Sequence, residues 1–209
     1  KMIRYTKKTR EILNFIDKYG FITSKICANI FYKNNKYGLT QARDTLNRIA
    51  KNGDIVVSGN TKDYGREQIY QFTKKLVSKH DYYILNFYSK VYSLVDKIDE
   101  FHLEQHWMGG KRRSDGLIVF TNIVDDVEYK KAYFIECDFT HKTDKEKYIE
   151  IYDSGEVQAY FKKVYDNEIF PSVIQIAYSD KENIESNDNF DVIGLDYDCN
   201  NLVSKILIA

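Results

Sequence analysis

The sequence predicts a two-domain α/β protein. A winged helix-turn-helix is expected over residues 1–80, a helical connection over 81–108, and a small α/β domain over 109–209. Three observations predict it. In the first 80 residues, three amphipathic helical patterns precede two short strand patterns. In the remainder, extended apolar runs alternate with helical ones. Finally, residues 1–80 carry 17 Lys and Arg against 6 Asp and Glu, a balance of +11, whereas residues 81–209 carry 14 against 25, a balance of −11. The net charge of zero thus conceals two modules suited to different partners.

The basic half begins with "TKKTREILNFIDKYG", where Ile12, Leu13, Phe15, Ile16 and Tyr19 recur at helical spacing before a glycine suited to a C-cap. "TSKICANIFYKN" follows, with Thr23 placed as an N-cap and Ile26, Cys27 and Ile30 on the inner side. The third pattern, "LTQARDTLNRIAKNG", offers Thr40 as its cap and Ala42, Leu46 and Ile49 as its inner stripe. "DIVVSG" and "EQIYQFT" then read as two strands around a polar connection containing Gly59 and Gly65. Three helices and a hairpin in this order describe a winged helix-turn-helix, whose third helix enters a DNA major groove. Gln41 and Arg43 carry paired donors or acceptors suited to base edges, and Asn47 shares their outer face. Arg48, Lys51, Lys62 and Arg66 suit phosphates. The bland alternative is a protein-interaction module with an ordinary charged surface helix.

Residues 81–101 read as one long helix. Tyr83, Phe87, Val91, Leu94, Val95 and Ile98 form its stripe, broadened by Tyr82, Leu85, Tyr88 and Tyr92. So wide a stripe wants two partners, the two modules or a second subunit. A homodimer is therefore expected. "HLEQH" at 102–106 is not HExxH and lacks a third ligand, so no zinc centre is expected, and "GGK" at 109–111 reads as a turn.

In the acidic half, "KRRSDGLIVFTN" and "KKAYFIECDFTHK" suggest an antiparallel hairpin, with Asp115 just before its first strand. Period-two alternation sends Phe134, Glu136, Asp138 and Thr140 to one face and Tyr133, Ile135, Cys137 and Phe139 to the other. A helical stretch broken near Gly155 follows. Then come a strand at "SVIQIAYS", a helix start at "DKENIESNDN", a last strand at "DVIGLDYDCN" and a closing "LVSKILI".

Asp115, Glu136 and Asp138 form the candidate catalytic and metal-binding set. A carboxylate before one strand and two on the next, one residue apart, is the ligand arrangement of many metal-dependent nucleases, and Mg²⁺ or Mn²⁺ would suit such ligands. Those enzymes normally carry a lysine where Asp138 stands, so the balancing cation would have to come from Lys111, Arg113, Lys142 or Lys145. A retired site with an Asp138–Arg113 salt bridge is the other expectation.

Three well-separated cysteines, Cys27, Cys137 and Cys199, argue for reduced core residues. The chain contains no apolar run long enough to cross a bilayer, which together with the cysteines points to a soluble cytoplasmic protein.

At this point the layout resembles the replication-relaxation family of plasmid and mobile-element proteins, over nearly the full chain. The marks are His80 after the wing, "RSDG" at 113–116, "ECD" at 136–138, "KEKYIEIY" in a downstream helix and "FPSVIQIAYS" in a later strand. Ser114 stands where the family has proline, and "FTHKT" replaces a glycine-threonine element, leaving Thr140 and Thr143 as alternatives for its threonine. The resemblance implies a restriction-endonuclease-like C-terminal domain and a role on double-stranded DNA in replication, its control or transfer, without catalysis. Metal-dependent nicking or cleavage is the alternative, and a transcriptional regulator that dimerises through its C-terminal domain is a third.

Overall fold

Thr6 and Gly20 bracket the first helix in the computed structural model, which describes residues 5–60, 67–139, 143–178 and 186–207. The Thr6 hydroxyl accepts the Thr9 amide at 3.1 Å. Gly20, at φ 85°, donates its N–H to Ile16 at 2.8 Å. Helix α1 therefore spans Lys7–Tyr19 and buries Ile12, Phe15 and Ile16. Strand β1 (Ile22–Thr23) leads directly into α2 (Ser24–Phe31), which Thr23 caps.

Helix α3 spans Gly38–Lys51 and so starts earlier than the expected Thr40 cap. Asn35 closes the preceding turn. Its side chain accepts the Tyr37 amide and its carbonyl the Gly38 amide, each at 2.8 Å. Helical geometry is thus established at residue 38, and Thr40 falls inside the first turn. Strands β2 (Val56–Asn60) and β3 (Gln68–Gln71) complete an antiparallel sheet in the order β1-β3-β2. Helix α4 (Lys79–Leu94) closes this first unit, with every residue from Tyr82 to Ser89 buried. It packs on α2, where Asn29 donates to the Ser89 hydroxyl at 3.0 Å.

The helix expected over 81–101 ends at Leu94, and residues 97–107 are instead strand β4 (Lys97–Trp107) of the second unit. Phe101, Leu103 and Trp107 already follow a period of two. A register shift between Ile98 and Glu100 disguises that period at the strand's start, where the spacing imitates a helix. His102 and His106 accordingly lie on the strand, both exposed. Strands β5 (Arg112–Val124) and β6 (Val127–Cys137) form the expected hairpin, joined by Asp125 and Asp126 at positive φ. Asp115 lies inside β5 rather than before it, because β4 supplies a pairing partner as far as Arg112.

A crossover of α5 (Lys145–Ser154) and α6 (Glu156–Tyr165), broken at Gly155 with φ 68°, returns the chain to β7 (Ser172–Ala177). The sheet order is β4-β5-β6-β7-β8, β8 being Val192–Asp196. Its first three strands are antiparallel, and β6, β7 and β8 are parallel. One face packs Leu117, Val119, Phe134, Val173 and Val192 against Tyr148 and Ile151 of α5 and Val157 and Phe161 of α6. The helix start expected at 180–189 lies partly outside the described residues, and its end forms an Asn187–Phe190 bridge. Residues 203–207 close the unit in a π-helical turn. The chain is thus a mixed α/β fold with an N-terminal helical unit and a C-terminal mixed-sheet unit.

Gly38→Ala should lower stability by about 1–3 kcal/mol in urea unfolding, because its Cβ would lie 2.8 Å from the Tyr32 carbonyl oxygen. Helix propensity alone predicts a gain of about 1 kcal/mol, so the sign of the change separates the two effects.

Candidate functional sites

On α3, burial of Ala42, Leu46 and Ile49 turns the intervening residues outward, and Gln41, Arg43, Asn47, Arg48 and Lys51 are all exposed. Two of them are engaged. Gln41 accepts the Asn35 side-chain amide at 3.0 Å, and Asn47 accepts the Tyr70 hydroxyl at 2.8 Å. Among the described residues, Arg43, Arg48 and Lys51 form no salt bridge, so their charge is presented without a counter-ion. A pocket beside the helix is lined by Ser24, Arg43, Asn47, Glu67, Gln68 and Tyr70. Glu67 accepts from the Thr23 hydroxyl, the Lys25 amide and the Tyr82 hydroxyl, and so ties β1, α2 and α4 together beside that pocket. Lys62 and Arg66 lie outside the described residues.

In the second unit, strand pairing collects the acidic residues. Gly116 pairs with Ile135 in an antiparallel ladder, which carries Asp115 to the level of Glu136, while Gln175 of β7 pairs with Glu136 directly. Glu136 is 4% exposed and its carboxylate is surrounded. Lys147 of α5 lies 2.6 Å from Oε1, the Tyr148 hydroxyl donates to the same oxygen, and Thr143 lies 3.3 Å from Oε2. Asp138 accepts the Thr143 hydroxyl at 2.6 Å and its amide at 2.9 Å, together with the Gln175 side chain. Asp115 accepts the Cys137 amide at 2.9 Å.

The cation that the Glu-x-Asp pattern lacks therefore comes from Lys147, in the first turn of α5. Arg113 pairs with Glu104 at 3.1 Å and not with Asp138, so the expected salt bridge of a retired site is not formed. Lys142 and Thr140 lie outside the described residues, and Thr143 is the threonine seen to join the two carboxylates. Lys147 and Tyr148 fall within "KEKYIEIY" and Gln175 within "FPSVIQIAYS", but their contact with the carboxylates is not read from the sequence. The signal for the first two is their spacing: adjacent residues in the first turn of a helix can both reach back toward the strand that precedes it.

Burial pushes the Glu136 carboxyl above the usual carboxylate range, Lys147 opposes that shift, and the charge of Asp115 reinforces it. Burial, with Glu136 beside it, also raises Tyr148, which stays a protonated donor. Thr143 carries one hydroxyl proton, directed to Asp138 at the shorter distance. Its contact with Glu136 Oε2 is a hydrogen bond only when that carboxyl is protonated.

This arrangement does not fit a Mg²⁺ or Mn²⁺ ion. Among the described residues no three His, Cys, Asp or Glu converge as a metal-holding group. The positive charge beside Glu136 is already the Lys147 ammonium. Through Lys147 and Tyr148 the cluster joins α5 to β6.

No family model, no curated protein and no solved structure matches the chain.

Lys147→Met should destabilise the second unit by about 3–5 kcal/mol near neutral pH, since it strands a buried carboxylate. The folded Glu136 carboxyl binds its proton more tightly than a free glutamate, whose ordinary value is 4.5. Its contribution to stability is therefore whole below that pH and is lost as pH rises through the higher folded value. Removing Lys147 steepens that loss, so the cost of the substitution should shrink toward acid pH. The fluorescence of Trp107, the single tryptophan and a core residue of this unit, reports the unfolding in urea series across that range.

Proposed function

We propose that the protein binds double-stranded DNA as a homodimer and acts, without catalysis, in the replication, replication control or transfer of a plasmid or other mobile element. The observation that carries the reading is the outer face of α3, where Arg43, Arg48 and Lys51 stand exposed and without salt bridges among the described residues. Three helices followed by β2 and β3 support a winged-helix use of that face, the wing being expected around 59–66. The mobile-element setting comes from the family resemblance of the motifs. A restriction-endonuclease-like ancestry would account for the gathering of Asp115, Glu136 and Asp138 at one end of the sheet, and the internal pairing of Glu136 with Lys147 favours a structural over a catalytic role for them.

One observation favours metal-dependent cleavage as the competing reading: an acidic cluster and a lysine meet at one end of a mixed sheet. That reading requires Lys147 and Tyr148 to release Glu136.

Binding measured by fluorescence anisotropy on pooled duplexes should weaken steeply with salt. Four phosphate-directed cations, Arg48, Lys51, Lys62 and Arg66, correspond to a slope of about −4 in log K against log salt. Arg43→Ala should reduce discrimination between sequences by about 1–3 kcal/mol, whereas Lys62→Ala should weaken all duplexes alike. No binding at low salt would leave a protein-interaction module. Supercoiled plasmid incubated with Mg²⁺ or Mn²⁺ should stay intact. Cutting that Glu136→Ala abolishes would establish the nuclease instead.

A further inference from the structure

The hairpin of β5 and β6 outruns its neighbours. Strand β4 accompanies β5 only to the Lys97–Thr121 pair, and β7 meets β6 only from the Tyr133–Ser172 pair onward. Residues 122–132 thus form a two-stranded ribbon, and every residue from Ile123 to Lys130 is exposed. Ile123, Val124, Val127 and Tyr129 are each 50–54% exposed on it. A ribbon of two strands is marginal in water by itself, and among the described residues no strand pairs with the outer edge of 127–131, where the Lys131 ammonium donates to the Ile206 carbonyl at 2.8 Å; such an edge beside apolar side chains is a template for a third strand.

We propose that residues 127–131 of β6 pair antiparallel with the same residues of a second copy, Tyr129 lying on the two-fold axis. The proposal deepens the homodimer reading and rests on it, but it is independent of DNA contact. A two-fold axis normal to a sheet keeps each face on its own side, so residues of like parity must oppose one another. With Tyr129 on the axis, Glu128 opposes the second copy's Lys130, and Lys130 opposes the second copy's Glu128. Two opposite-charge pairs and a tyrosine pair form together. Moving the axis to Lys130 sets the two lysines against each other, and a parallel pairing in register does the same. Charge therefore selects one register. Lys130 already bonds Asp99 at 2.9 Å and Thr121 at 3.0 Å, and an ammonium has a third donor to offer. Asp125 and Asp126 at the tip, with Glu128, repel a phosphate backbone and set this ribbon apart from groove-reading ones.

The test is sedimentation velocity of the full chain without DNA, paired with cysteine cross-linking. Cys27, Cys137 and Cys199 are buried and should stay silent. The chain should sediment as a dimer at micromolar concentration, and Glu128→Lys, at an exposed position, should weaken association about tenfold or more through its two charge pairs. Tyr129→Cys should give a disulfide-linked dimer on mild oxidation, while Val164→Cys, exposed on α6, should not. A monomeric chain, a dimer indifferent to Glu128→Lys, or no cross-link at 129 each overturns this interface. Loss of DNA binding in a chain that still dimerises bears on α3 alone.

Discussion

The burial of the Glu136 carboxylate at the end of β6 sets a condition that the surrounding chain has to meet, because an ionised group there needs donors and a compensating charge. Lys147 and Tyr148 supply both from the first turn of α5, and Thr143 and Gln175 extend the network to Asp138. The crossover helix is thereby pinned to the strand before it, and Gln175 ties β7 to the end of that same strand. Below that polar end the same face carries the apolar core, with Phe134 packed on Tyr148 at 5.3 Å and on Trp107 at 5.8 Å. A single tyrosine thus belongs to the polar network through its hydroxyl and to the core through its ring.

The nuclease-like spacing of the acidic residues takes a different meaning once its cation is located. In a Glu-x-Lys pattern the ammonium shares a strand with the carboxylate and can face a substrate. Here it arrives from a helix, is only 16% exposed, and is spent on Glu136 itself. The basic residues of α3 have the opposite arrangement. They stand on a helix whose inner face is fully occupied by Ala42, Leu46 and Ile49, so nothing in the helix's own packing draws their charge inward.

Among the described residues, positive φ at non-glycine positions falls in the second unit, in turns and once inside a strand. Asp125 and Asp126 make the β5–β6 turn at φ 51° and 62°, and Glu104 takes φ 52° between Leu103 and Gln105, opposite Asp115. Aspartate tolerates this region better than most residues because its short side chain bonds locally. Glutamate does not, and its position across from the carboxylate cluster places backbone strain beside the most polar part of the sheet.

Elements whose signals are local are legible in the sequence alone. Gly20 and Thr23 mark helix ends correctly because caps act within a turn. The strand at residues 172–177 and the break at Gly155 are equally legible. Alternation along β6 is enough to put Glu136 and Asp138 on one face. Tertiary structure decided what depends on neighbours distant in sequence. Residues 97–107 became a strand because β5 offered a partner, overriding a spacing that a bulge made look helical. Asp115 joined the interior of β5 for the same reason. Lys147, and not Arg113, became the counter-ion of Glu136, because the crossover folds α5 back over the strand it has just left. A pattern of periods reports which way a side chain points, but the partner it meets is set by how the chain returns.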